Sequence, residues 1–274
     1  MVKVQVGNHN FYMDGFLKTN MDRAKEIIKK DWDMVFVVDG MEGSGKSVLA
    51  MQIAKYLDPS FNIDRVVFNP FDFSQAIIHA KKFEAVVYDE GFTGLSARAT
   101  MSTINRSLVT MLAEIRQKNL FVFVVMPTFF DLDRNVALWR SRALFHVYAE
   151  GFKRGSFSFF NSERKKNIYI FGKKTYSYNC KGSMSKPNFY GSFTNYYVLD
   201  QDLYRRKKKA ALERPEEDRW KQQVRKDVEK ELFGRIMELE DVKHDIKMAI
   251  LEMKPATYFR KKKKYEESPE EFLK

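Results

Sequence analysis

The stretch Met34-Val35-Phe36-Val37-Val38-Asp39-Gly40-Met41-Glu42-Gly43-Ser44-Gly45-Lys46-Ser47 decides how the rest of the chain is read. Its second half fits Gly-x-x-x-x-Gly-Lys-Ser/Thr, the pattern of a phosphate-binding loop. The glycines let the backbone curl so that its N–H groups point at phosphate oxygens. Gly40, Glu42, Gly43, Ser44 and Gly45 would therefore wrap a triphosphate, Lys46 would reach its β- and γ-phosphates, and Ser47 would offer a hydroxyl to Mg²⁺. The first half, Met34 to Val38, is an apolar run of buried-strand length. Val48 to Leu57 then carries apolar residues at helical spacing, so a helix would begin at the loop and add its positive end to the site. A chance glycine-rich turn is the plainer reading, and the strand before and helix after it weigh against that.

Working outward, strand-length apolar runs recur at Arg65–Phe68, Ala85–Tyr88, Leu120–Met126 and Ala143–Tyr148. Helical patterns separate them at Phe73–Lys82, Thr103–Lys118 and Asp133–Arg140. Such alternation implies a parallel sheet covered by helices on both faces. Residues 1–150 thus read as one α/β ATPase core. From 151 to 200 the texture turns to Phe, Tyr, Ser, Lys, Asn and Gly, with β-leaning pieces at Ser156–Phe160, Asn167–Phe171 and Asn195–Val198. This is expected to be a small basic subdomain of antiparallel hairpins. Residues 201–274 read as a helical extension that Pro255 ends, followed by a mobile basic tail around Arg260–Lys264.

A second chemical element follows the loop at Ala85-Val86-Val87-Tyr88-Asp89-Glu90. An apolar strand ending in two carboxylates suits a Walker B role: Asp89 would hold Mg²⁺ and Glu90 would act as general base on the attacking water. The plainer alternative is a strand ending in a polar turn. Thr128, after the strand Leu120–Met126, is a candidate γ-phosphate sensor, with a turn-capping hydroxyl as the other reading. Arg140 and Arg142 are candidate arginine fingers for a neighbouring subunit's nucleotide, with ion-paired surface arginines as the alternative.

The chain of 274 residues carries a net charge of +12, a single cysteine (Cys180) and 44% hydrophobic residues. That is ample for a core and rules out an intrachain disulfide. Residues 151–200 concentrate nine Lys/Arg (Lys153, Arg154, Arg164, Lys165, Lys166, Lys173, Lys174, Lys181 and Lys186) against Glu163 and Asp200. Such a field suits a polyanion, most simply the DNA backbone. Aromatics interleaved there would stack on open bases or form the segment's own core. Neither a leader-like apolar N-terminus nor a bilayer-length run is present, so a cytoplasmic location without a membrane span is expected. His9, His79, His146 and His244 are scattered and suggest no metal site.

The loop, the Asp89-Glu90 strand, Glu114-Ile115-Arg116-Gln117-Lys118-Asn119-Leu120 leading into an apolar strand, and the arginines before the fifth strand come in a recognisable order. That order resembles the FtsK/HerA superfamily of hexameric DNA-pumping ATPases, including zonula-occludens-toxin-like and viral packaging members. The resemblance covers roughly residues 30–150. It implies a RecA-like P-loop core, ATP and Mg²⁺ as ligands, a homo-oligomeric ring, Lys46, Ser47, Asp89 and Glu90 in hydrolysis, and Arg140 or Arg142 as the trans-acting finger. Where members of that superfamily often carry a glutamine sensor, this chain has Pro127-Thr128. The expected function is Mg²⁺-dependent ATP hydrolysis coupled to DNA translocation or genome packaging for a virus, plasmid or mobile element. An ATP-switched loader that positions another DNA-processing factor is the alternative; a small-molecule kinase fits the Glu beside Asp89 less well.

Overall fold

In the computed structural model, residues 1–89, 115, 118–151, 153–179, 185–239, 242–269 and 272 are described. The chain divides into two compact units, Met1–Leu212 and Glu213–Lys274. The first opens with a hairpin, β1 (Val2–Val6) and β2 (His9–Met13), turned at Gly7 with a positive φ of 54°. Alternate residues Val4, Val6, Phe11 and Met13 are buried, as period-two patterning requires. Helix α1 (Gly15–Ile28) follows, capped by Asp14, whose carboxylate accepts from the Leu17 N–H. It buries Leu17, Met21, Ala24 and Ile28 along one stripe.

The centre of the unit is a seven-stranded sheet in the order β4-β5-β6-β3-β7-β8-β9. Its members are β3 (Met34–Gly40), β4 (Val66–Val67), β5 (Ala85–Asp89), β6 (Phe121–Met126), β7 (Ser141–Glu150), β8 (Lys153–Phe160) and β9 (Phe189–Ser192). The first five in spatial order are parallel, and β8 and β9 are antiparallel additions. Strand β3 is buried at every position. Its odd-numbered valines, Val35 and Val37, pack on one face with Val122, Val124, Phe129 and Phe130. Phe36 and Val38 pack on the other with Phe123, Val125, Phe145 and the helix α2 (Lys46–Leu57). Burial on both faces is why these strands read as unbroken apolar runs. Helix α3 (Pro70–His79) has Asn69 as its cap and buries Phe73 and Ile77 in the first of these clusters.

Several expectations change. Residues 151–200 do not form a separate subdomain: β8 pairs with β7, β9 pairs with β8, and both extend the main sheet. Asn167–Phe171, expected as a strand, lies in helix α4 (Ser162–Gly172), capped by the Asn161 side chain. Ile168 and Tyr169 enter the core while Ile170 and Phe171 stay exposed, so tertiary packing overrides the local β preference. Asn195–Val198 forms no strand either.

Helix α5 (Gln201–Met237) runs across the boundary between the units. The second unit adds α6 (His244–Ile250) and α7 (Pro255–Glu267) around a small cluster of Phe233, Tyr258 and Phe272. Pro255 begins α7 rather than ending a helix, because the first helical turn has no use for the N–H it lacks. The basic run Arg260–Lys264, expected as a mobile tail, is helical within α7. None of the described helices is long and apolar enough to cross a membrane.

Lys165 of α4 is fully buried, and its ammonium donates to the carbonyl of Ala137, in the π-helical turn Val136–Arg140. Burial, reinforced by Lys166 and Arg142, lowers its pKa to about 7 from the ordinary 10.5. Between those values the unfolded chain holds a proton that the folded chain releases, so this lysine's contribution to stability rises with pH. Urea unfolding at about pH 7 and about pH 9.5 should therefore show wild type gaining on Lys165→Met at the higher pH. A difference that does not change with pH contradicts a depressed Lys165.

Candidate functional site

Parallel register brings the tips of β3, β6 and β5 to one edge: Asp39 is level with Met126, and Asp89 with Val125. Strand β6 lies between the other two, so a crevice opens at the carboxyl ends of the strands. The glycine-rich loop leaves β3 there and enters α2. Gly40 has φ +139°, and a Cβ on it would stand 1.9 Å from the Val147 carbonyl oxygen of β7. Gly45, at φ +101°, caps α2 without any side-chain hydrogen bond, leaving the first N–H groups of the helix open to an anion.

Within the loop, Ser44 is 3% exposed and its hydroxyl oxygen has no hydrogen-bond partner among the described residues. Buried hydroxyls are nearly always paired, so this one points to a polar ligand. Lys46 folds back to donate to the carbonyls of Gly40 (2.6 Å) and Met41 (2.7 Å). Burial lowers its pKa, against the opposing pull of Asp89 and Asp39. Asp89, 2% exposed, accepts from the Tyr204 hydroxyl and has Lys208 Nζ 3.5 Å away. Burial and the Asp89 charge raise the Tyr204 pKa well above the ordinary phenol value, so it stays a donor.

These groups share a cavity of about 530 Å³ lined by Glu42, Gly43, Ser44, Lys46, Ser47 and Asp89. Its other wall comes from Arg154 of β8 and from Phe193, Asn195 and Tyr197 of the segment after β9. Gln52 of α2 holds that segment by donating to the carbonyls of Thr194 (2.7 Å) and Tyr196 (2.8 Å). The donor set suits a polyphosphate: backbone N–H groups, a free hydroxyl and the cations Lys46, Arg154 and Lys208 converge on it. The oxygens of Ser47 and Asp89 suit a hard divalent cation.

Beneath the loop lies a network that the sequence did not announce. Asp39, with no exposure, accepts from the Phe129 N–H (2.7 Å) and the Tyr178 hydroxyl, and His146 Nδ1 lies 2.9 Å from its other oxygen. The His146 and Tyr178 rings stack at 3.7 Å. A charged residue ending an otherwise apolar strand was the only available signal.

The remaining predicted residues fall elsewhere. Glu90, Glu114, Arg116, Phe152, Cys180 and Lys181 lie outside the described residues. Thr128 caps the turn Phe129–Asp131 through a 3.4 Å contact to the Phe130 N–H and does not line the cavity, which fits its turn-capping alternative. Arg140 pairs with Asp33 at 2.9 Å, and Arg142 stacks over Trp32 at 4.5 Å. Both sit where β3 and β7 begin, roughly 20 Å of strand away from the loop. The structure does not bring them to this chain's own site. Of the basic residues in 151–200, Lys153, Arg154, Lys173, Lys174 and Lys186 are exposed. Arg164 is taken up by the carbonyls of Lys186 and Pro187, Lys165 is buried, and Lys166 lies 4.0 Å from the Trp139 ring centre. Phe157, Phe159 and Phe160 are core residues, not stacking platforms.

No protein-family model matches the chain, and no curated protein matches it. Among solved structures, the N-terminal domain of zonular occludens toxin from Neisseria meningitidis is similar over 47% of this chain and 84% of that one. The identity is 14% and the TM-score 0.32, too remote a likeness to add to what the residues themselves indicate.

The contrast between two glycines checks the loop geometry. Gly40→Ala drives a Cβ into a backbone oxygen and should cost on the order of 3 kcal/mol or more in denaturant unfolding. Gly7→Ala, at φ +54° but with open space around it, should cost only about 1 kcal/mol. Equal costs contradict the close passage of β7 behind the loop.

Proposed function

We propose that the chain is a Mg²⁺-dependent ATPase with a RecA-like core, acting as an oligomer on DNA. One observation carries the catalytic half. The glycine-rich loop with its Lys46 and Ser47, and Asp89 from a different strand far along the chain, line one cavity at the strand tips, with an unpaired buried hydroxyl, Ser44, beside them. In this reading the loop's N–H groups and the start of α2 hold phosphate oxygens. Lys46 exchanges the Gly40 and Met41 carbonyls for the β- and γ-phosphates. Ser47 and Asp89 would hold Mg²⁺, which neutralises charge on the phosphates. Glu90, next in sequence, would take the proton of the attacking water.

The DNA half draws on the net charge of +12 and on the exposed Lys153, Lys173, Lys174 and Lys186. It does not draw on Arg140 or Arg142, which are engaged within the chain. The loader alternative gains from a different observation: α5, whose first turns touch Asp89, continues into the second unit. Hydrolysis assays with and without linear duplex DNA separate the two, since a motor is stimulated by DNA alone and a loader only by its protein partner.

Lys46→Ala should lower turnover by about 10²-fold or more. Glu90→Gln should retain ATP binding while losing roughly 10²–10⁴-fold in rate. Phosphate release and equilibrium nucleotide binding measure the two effects. Turnover retained in Lys46→Ala contradicts the ATPase reading, and turnover retained in Glu90→Gln removes it as the base.

A further inference from the structure

Two side chains are assigned above to the divalent cation, Ser47 and Asp89, and the phenol of Tyr204 engages the second of them. It donates to Asp89 Oδ2. One helical turn further along α5, Lys208 Nζ lies 3.5 Å from the same Asp89 oxygen and 3.4 Å from the phenol oxygen. A carboxylate as buried as Asp89 needs donors or counter-charge, and α5 supplies both. The Tyr204 ring is itself fixed, 6% exposed and packed against Phe68 and Tyr197 with ring centres 5.8 and 6.3 Å apart. Lys207 clips the same turn by donating to the Ile63 carbonyl at 2.8 Å. The spacing of Tyr204, Lys207 and Lys208 puts all three on one side of the helix, while Arg205 and Arg206 face solvent.

The Asp89 oxygen that Tyr204 and Lys208 both engage is one that a hard cation would need. We infer that Tyr204 is a positioning residue of the nucleotide site: its phenol holds Asp89 in place and competes with the divalent cation for that carboxylate, so that cation–nucleotide loading releases the first turns of α5. This rests on the nucleotide reading given above. Lys208 then loses Asp89 as its partner and is left beside Lys46 on the phosphate wall of the same cavity. Because α5 runs on past Leu212, the occupancy of Asp89 bears directly on a helix that both units share.

The test is binding of a fluorescent ATP analogue to the full chain, titrated with Mg²⁺. Tyr204→Phe keeps the packed ring and deletes the hydroxyl. Its Mg²⁺ midpoint should fall about tenfold, the scale of one hydrogen bond to a charged group, while affinity in EDTA stays within about twofold of wild type. An unchanged or raised midpoint overturns the inference, as does a loss of affinity equal with and without Mg²⁺, which is the mark of a merely structural hydroxyl. Should Tyr204→Phe fail to fold, limited trypsin digestion of the wild type gives the answer. Cleavage after Arg205 and Arg206 should be faster with Mg²⁺ and ATP than with ATP in EDTA, and equal rates overturn the inference. A wild-type chain that binds no analogue under either condition removes the nucleotide reading and this inference together. Normal wild-type binding with no Mg²⁺ shift in the variant removes only the assignment of Tyr204.

Discussion

The Asp39 carboxylate is the interaction on which the rest of the site rests. It is fully buried at the tip of β3, and its donors come from three other places: the turn after β6, the strand β7 and the segment after α4. Hydrogen bonds to a charged group contribute about 1.5–3 kcal/mol each, and donors left unpaired in the interior cost comparable amounts. The carboxylate therefore fixes where β3 stops and where the glycine-rich loop begins. Gly40 follows at once, pressed against β7, and its N–H is held at 3.2 Å by the Pro127 carbonyl. With the loop's root fixed on both sides, the orientation of α2 and the positions of Lys46 and Ser47 follow.

Much of the sheet was legible because its inner strands are buried on both faces and so read as unbroken apolar runs. The loop was legible because all its parts are contiguous. The other wall of the cavity was not. Tyr204 and Lys208 meet Asp89 across more than a hundred residues, and Arg154 arrives only because β8 turns back along β7. Nothing local in those stretches marks where the fold delivers them. The N-terminal hairpin carried a readable sign in Gly7-Asn8 between alternating apolar residues. Asn167–Phe171 misled for a physical reason: an aromatic and β-branched run favours a strand, yet the Asn161 cap and the burial of Ile168 and Tyr169 on one side make it a helix.

Charge counting also overstated what residues 151–200 offer to a polyanion. Lysine and arginine stems are long enough to serve the fold itself, and Arg164, Lys165 and Lys166 do so by tying down carbonyls or covering an indole. The local field is set by the exposed remainder. Arg154 differs again, since it faces the cavity and belongs with the cations of the site. The same basic segment thus serves structure, cavity and surface, which composition alone does not separate.

The two margins of the main sheet are short. Strand β4 has two residues and β9 has four, with Gly191 in its middle. Short margins offer little backbone for another chain to pair with, which is how soluble sheets avoid joining edge to edge. A copy of this protein that met another at these described margins of the main sheet would therefore do so through side chains, not by continuing the sheet. Contacts of that kind can loosen and re-form without unzipping backbone hydrogen bonds, so such an assembly could rearrange while each subunit's sheet stays intact.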